Sequence, residues 1–245
     1  MTQNIYDQED FFAGYSRLPR SVDGLEGAAE WPAIRALLPD MTGRRVLDLG
    51  CGFGWFARWA RQQGAASVLA LDVSANMLAR AAEMTQDPAI TYARGDMETL
   101  DVPATSFDIA YSSLAFHYIA NLKHTFSVVH RALVPGAPFV FSVEHPIYTA
   151  PSAPGFVTAD NGRRVWPLDR YLDESDRQTD WLAKGVIKRH RTIGSYLGLL
   201  LGAGFTLTHL KEWGPTAEQV AAHPEWAVER ERPPFMLVAA QARSS

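Results

Sequence analysis

One cysteine, Cys51, in 245 residues leaves no means of building a disulfide framework or a cysteine-ligated zinc site. H-E-x-x-H, C-x-x-C, P-loop and nucleophile-elbow patterns are also missing, so zinc chemistry, phosphoryl transfer and serine hydrolysis have no foothold. Positive charge is not in excess. With 23 basic and 27 acidic residues the formal charge is -4, which gives no general pull towards nucleic acid or anionic membranes. The first ten residues hold no basic segment followed by an apolar one, and the apolar run from Tyr196 to Phe205 is too short and too rich in glycine to span a bilayer. A cytoplasmic protein without a membrane partner is expected. No Ser/Pro/Gly linker, internal repeat or low-complexity tract divides the chain, and its length suits one α/β domain.

What is present centres on Arg45-Val46-Leu47-Asp48-Leu49-Gly50-Cys51-Gly52-Phe53-Gly54-Trp55-Phe56. Val46, Leu47 and Leu49 suit a strand buried on both faces of a parallel sheet, and Phe56, Ala57, Trp59 and Ala60 then recur at helical spacing. Three glycines spaced two apart join them. Glycine tolerates positive φ and lets a ligand approach the backbone, while the free amides that open a helix favour an anionic group. The loop predicts a nucleotide-type cofactor lying across Gly50 to Gly54.

Strand-like and helix-like segments then alternate: 45–49, helix 53–63, 67–72, helix 75–84, 90–93, 107–113, helix 121–132 and 137–143. Such alternation predicts right-handed crossovers and a parallel sheet covered by helices. Upstream, Glu26 to Leu38 carries a helical pattern interrupted near Trp31-Pro32, so residues 1–40 read as a helical cap and 41–145 as the cofactor-binding core. From His145 to Arg191 the periodicity fails. Tyr148, Phe156, Trp166, Tyr171 and Trp181 lie there among prolines and charges, and a connection of that length predicts a substrate lid over 146–191. Residues 192–245 then supply a helix from about Ile193 to Leu201 and strands over 205–213 and 235–240.

Asp72 ends the second strand, eighteen residues after Gly54. An acidic side chain at that place accepts hydrogen bonds from ribose hydroxyls in nucleotide-binding α/β folds; a helix cap is the plainer alternative. Gly95-Asp96-Met97 follows the third strand. Asp96 could accept from an adenine amino group with Met97 flanking the ring, or could simply form an Asp turn.

Together, Val46-Leu47-Asp48-Leu49-Gly50-Cys51-Gly52-Phe53-Gly54, Asp72, Gly95-Asp96-Met97, Phe107-Asp108-Ile109-Ala110 and Leu133-Val134-Pro135-Gly136 resemble the class I S-adenosylmethionine-dependent methyltransferases. The likeness is to their small-molecule branch, similar to ubiquinone- and trans-aconitate-type enzymes, and spans about 43–145. It implies a Rossmann-like, doubly wound α/β fold of seven strands, mostly parallel with the last antiparallel. It implies S-adenosyl-L-methionine as cofactor, with S-adenosyl-L-homocysteine as product. Gly50 and Gly52 would pass the methionyl part along their backbone, Asp48 would help hold its amino group, Asp72 would take the ribose, and Asp96 with Met97 the adenine. Cys51, Val73, Met77 and Ser113 join this set, and Tyr15 and Arg20 of the cap would close over the methionyl carboxylate.

The acceptor side is less constrained. His117, in Ser112 to Tyr118 after the fourth strand, is the candidate base, or a histidine satisfied by a nearby carbonyl. Glu144 and His145 end the fifth strand, and either could bind the acceptor or shape the turn before Pro146. Lys184, Lys188, Arg189, His190 and Arg191 form the one dense basic run; it could hold an acidic acceptor or a nucleic-acid phosphate, but a solvated segment is the commoner fate, and no aromatic stripe supports RNA binding. The expected reaction is methyl transfer to an O, N or C atom of a small-molecule acceptor, with no metal and no nucleic acid, and with a homodimer left open. Two other readings stand beside it. A non-catalytic nucleotide-cofactor-binding regulatory protein would bind without turnover. An NAD(P)-dependent dehydrogenase would want G-x-G-x-x-G, whereas this loop is G-x-G-x-G followed by bulky Trp55.

Overall fold

The computed structural model describes residues 3–244. Strands β1 (Arg45–Leu49), β2 (Ser67–Asp72), β3 (Ile90–Arg94), β4 (Ile109–Ser113) and β5 (Pro138–Glu144) are followed by two hairpins, β6 (Val157–Thr158) with β7 (Arg164–Val165) and β8 (Asp176–Trp181) with β9 (Ala183–Arg189). The long strands β10 (Phe205–Trp213) and β11 (Phe235–Ala242) close the chain. The main sheet has the order β10-β11-β5-β4-β1-β2-β3. Pairing is parallel from β3 to β5, and β11 runs antiparallel to both β5 and β10. This is the α/β, seven-stranded sheet with an antiparallel last strand that the sequence implied.

The sheet is apolar on both faces, which explains why β1, β4 and β5 read as continuous hydrophobic runs. Helices Leu122–Ala132 and Ile193–Gly202 cover one face around Phe116, Phe126, Phe139, Phe141 and Phe205, all buried. Each such phenylalanine contributes roughly 2–3 kcal/mol by burial, so the ends of β4 and β5 are firmly placed. Helices Trp31–Arg35 and Trp55–Gln62 cover the other face around Val46, Phe56 and Tyr111. Phe56 stacks on Tyr111 with ring centroids 3.6 Å apart.

Three expected boundaries shift for local reasons. The helix after β1 begins at Trp55 and not at 53, because Gly54 has φ +71° and stands outside it. The strand expected from 107 begins at Ile109, and Phe107 makes only an isolated bridge to Leu133. The interrupted pattern over 26–38 yields one short helix, Trp31–Arg35, because Pro32 fits only its first turn. The stretch without periodicity, 146–191, holds the two hairpins; β8 and β9 escaped the pattern reading because their inward positions carry Arg177, Val186 and Lys188 instead of an apolar alternation.

The amino-terminal segment is fastened over the carboxyl ends of β1 and β2. Asp7 accepts from Ser74 Oγ (2.5 Å) and from the Asn76 amide (3.1 Å), placing a carboxylate at the start of helix Ala75–Glu83, where the helix dipole favours it. Gln3 pairs with β9, its Nε2 donating to Gly185 O (3.0 Å) and its Oε1 accepting from Ile187 N (2.9 Å).

Candidate active site

The strand order reverses between β1 and β4, and beside their carboxyl ends lies a cavity of about 490 Å³. Open α/β sheets bind ligands at this kind of crevice, and the volume lies in the range of small-molecule sites. The chain turns sharply into it. Gly50 and Gly52 have φ of +73° and +52°. A Cβ on Gly52 would meet nothing nearer than Tyr15 Oη at 4.0 Å, so this backbone faces open space. Gly54 is different. A Cβ there would lie 2.2 Å from Tyr92 Oη, which makes it a packing glycine against β3 and ends the cradle at Gly52.

The anion favoured by the loop's amides is one of the protein's own. Gly52 N donates to Asp72 Oδ2 at 2.9 Å, and Ser74 N donates to Oδ1 at 2.9 Å. Each oxygen keeps a lone pair for a ligand. Burial raises the proton affinity of Asp72. Asp48 is 1% exposed, lines the same wall, and its Oδ2 has no hydrogen-bond partner among the described residues. Burial, then the nearby Asp72 charge, push its carboxyl well above the usual range. The buried Asp48, with one oxygen unpartnered, and the half-buried Asp72 make a wall that a cation would relieve.

Gly50, Cys51, Gly52, Asp48, Asp72, Val73 and Met77 all line the cavity, as do Met97, Ser113, Tyr15 and Arg20. Cys51 is no nucleophile: burial and the Asp48 charge push its thiol up. Arg20 is not a free cation either, since its guanidinium stands 3.1 Å from Glu30, which is buried. Asp96 follows β3 at the carboxyl edge of the sheet as expected, is not among the residues that line the cavity, and through Oδ1 accepts from Glu98 N as the cap of a short 3₁₀ turn.

On the acceptor side the structure separates the candidates. His145 is also outside the lining; Nδ1 accepts from Ile147 N (3.1 Å) and Nε2 pairs with Glu212 (2.9 Å), so it caps a short helix and is not available as a base. His117 and Glu144 do line the cavity. His117 is 1% exposed, and burial drives it down to about 4, so the ring is neutral at neutral pH. Glu144 Oε1 pairs with Lys188 Nζ at 2.5 Å while Oε2 is buried without a partner.

Tyr6 and Glu30, which no local pattern marked, complete the wall with Tyr118, Tyr148 and Trp181. Tyr148 and Trp181 belong to the aromatics noted in the insertion, and Lys188 Nζ lies 5.8 Å and 5.2 Å from their ring centroids. Only Lys184 of the basic run is exposed, and most of the rest is turned inward instead of forming a solvated segment or a phosphate patch. Lys188, His190 and Arg191 are buried, His190 between Thr149 and the Tyr171 carbonyl and Arg191 on the carbonyls of Ile119 and Ala120, while Arg189 pairs with Asp176. Strand alternation could have signalled Lys188, since Val186, Lys188 and His190 are spaced by two.

Known proteins agree with this geometry. Residues 47–141, from β1 into β5, match the methyltransferase domain family. A malonyl-[acyl-carrier protein] O-methyltransferase from Pectobacterium atrosepticum is 42% identical over 44% of this chain and 42% of its own, so the chain spans less than half the length of that relative. A Listeria monocytogenes structure assigned to the S-adenosylmethionine-dependent methyltransferases is 37% identical, covers 90% of this chain and all of its own, and superposes with a TM-score of 0.83. An S-adenosylmethionine-dependent methyltransferase from Mesorhizobium loti is 56% identical over 89% of this chain and 100% of its own, with a TM-score of 0.86. A likeness that strong over a whole domain, joined to a cavity walled by two carboxylates at a glycine turn, places the chain in the S-adenosylmethionine-dependent methyltransferase family.

Proposed function

We propose that the enzyme methylates a small-molecule acceptor seated at the His117 and Glu144 end of the cavity, with the cofactor held between the Gly50–Gly52 turn, Asp48, Asp72 and Met97. The observation that carries this reading is the orphaned Asp48 Oδ2 beside Asp72. S-adenosylmethionine brings an ammonium and a sulfonium, and the two carboxylates on this wall suit those charges where an anionic dinucleotide would be repelled. When bound, the cofactor supplies a methyl group on positively charged sulfur, ready for in-line displacement. The chain's own residues bind, align and keep water out. Residues 1–40 would close the methionyl side through Tyr15 and Arg20, and 146–191 would act as the lid through Tyr148 and Trp181.

The inward-facing Lys188, His190 and Arg191 argue for a small acceptor over a nucleic acid, because the densest basic cluster is turned to partners within the protein instead of to phosphates. The curated relative named above is a malonyl-[acyl-carrier protein] O-methyltransferase, but its match covers only 44% of this chain. No helix among the described residues is long and apolar enough to cross a membrane; the cytoplasm and a homodimer stay expectations from sequence. Calorimetric titration with S-adenosylhomocysteine and, in parallel, NAD tests the cofactor side, with heat expected from the first alone. Methyl-labelled cofactor added to a metabolite extract tests the acceptor: label in the low-mass fraction supports the proposal, and label confined to nucleic acid or protein overturns it.

A further inference from the structure

The His117 ring is held by a contact that fixes its chemistry. The Glu144 backbone amide lies 3.3 Å from His117 Nδ1. An amide N–H can only donate, so Nδ1 is the bare nitrogen and, in the neutral ring, Nε2 carries the hydrogen. No hydrogen bond to Nε2 occurs among the described residues, and the residue lines the cavity. His117 therefore presents a donor to the cavity, and its one basic nitrogen is already used. Burial keeps the ring neutral by driving it down to about 4. The expectation of a histidine base is corrected accordingly.

The same backbone position supplies the complement. Glu144 gives its amide to His117 and its side chain to the cavity, where Lys188 occupies Oε1 and leaves Oε2 free to accept. A donor and an acceptor thus stand side by side among the rings of Tyr118, Tyr148 and Trp181. A neutral amine has one lone pair, which methyl transfer consumes, so it cannot also accept from His117. A carboxylate acceptor would set a second negative charge against Glu144. A hydroxyl satisfies both groups, because its oxygen has two lone pairs and one hydrogen.

We infer that this site, taken as the acceptor end of the methyltransferase cavity proposed above, methylates the hydroxyl of a flat, apolar molecule of the phenol or enol class, with Glu144 as proton acceptor and His117 Nε2–H as the group that fixes the oxygen. One oxygen lone pair accepts from His117. The other forms the bond to the methyl carbon as the carbon–sulfur bond breaks, its electron pair returning to sulfur. The hydroxyl proton passes to Glu144 Oε2, so charge is cancelled on both sides. An aliphatic alcohol, near the proton affinity of water at about 16, would give its proton to a carboxylate far less readily than a phenol near about 10.

The test uses the full chain, methyl-labelled S-adenosylmethionine and matched para-substituted phenols, anilines and benzoates. Methyl ethers from the phenols are expected. Products from anilines or benzoates alone, or no methylated phenol at all, overturn the inference. Heat with S-adenosylhomocysteine separates the two failures: if it persists, only the acceptor class is wrong, and if it is absent the cofactor reading falls as well. Glu144→Gln should lose on the order of 100-fold on phenol yet little on 4-nitrophenol in mildly alkaline buffer, where that hydroxyl is already ionised; an equal loss on both overturns the proton-acceptor role. On the wild-type protein, nitrogen NMR of His117 should show hydrogen on Nε2 and a bare Nδ1 at neutral pH, and the opposite tautomer sinks the argument whatever the variant does.

Discussion

Lys188 Nζ, on β9 of the insertion, stands 2.5 Å from Glu144 Oε1 at the end of β5, with the lysine side chain 4% and the glutamate side chain 13% exposed. This pair ties the insertion to the sheet at the site itself. Removing one partner strands a buried charge, and buried pairs broken in this way lose about 3 kcal/mol or more. Lys188→Met and Glu144→Gln should each destabilise by about that amount in urea denaturation. The double variant should lose less than the sum, by about 0.5–3 kcal/mol.

Gly52 and Gly54 share positive φ but not surroundings. Alanine in the left-handed region costs about 1–2 kcal/mol at either. At Gly54 the added methyl also meets Tyr92, so overpacking adds about 1–3 kcal/mol. Thermal scans should therefore find Gly54→Ala clearly less stable than Gly52→Ala. Calorimetry should find that Gly52→Ala has lost most of its heat with S-adenosylhomocysteine while remaining folded.

Asp48 should show a conflict between stability and binding. Its folded-state proton affinity is raised by burial and by Asp72, so its contribution to stability is present at low pH and is lost as pH rises through the folded value. Asp48→Asn removes that penalty. The ligand-free melting temperature at neutral pH should rise by roughly 2–8 °C, equivalent to about 1–2 kcal/mol. Affinity for S-adenosylhomocysteine should fall about tenfold or more, since a hydrogen bond to a charged group is worth about 1.5–3 kcal/mol.

His117 should make stability fall as acid is added. The unfolded chain takes up its proton near the ordinary value of 6.5, and the folded chain only at about 4. Between those values the unfolded state holds more protons, so stability is full above the upper one and is lost on the way down. The total is about 3 kcal/mol, at about 1.4 kcal/mol for each tenfold change in proton affinity. Subtracting the pH profile of His117→Gln from that of the wild type isolates this contribution from the opposite one of Asp48. A flat difference between pH 6.5 and 4 would show that the ring is solvated.

The sheet was legible before any coordinates because its signals are local. Most of β1, β4 and β5 is apolar, with Asp48, Ser112 and Ser142 the buried polar exceptions, and a strand buried on both faces favours that composition. Gly50 and Gly52 were legible for the same reason: a turn at positive φ next to a ligand space writes itself into residue type. Neighbouring residues cannot tell Gly54 from Gly52, or His145 from His117, because the deciding atoms, Tyr92 Oη, Glu212 and the Glu144 amide, come from 38, 67 and 27 positions away. The basic run was misjudged on the same ground. Charge in sequence predicts solvent unless a buried partner waits, and Glu144 lies 44 residues upstream of Lys188. Composition and spacing thus determined the architecture and the glycine turn. Which polar groups meet inside the cavity was decided only when chain closure brought distant carboxylates, rings and amides within hydrogen-bond reach.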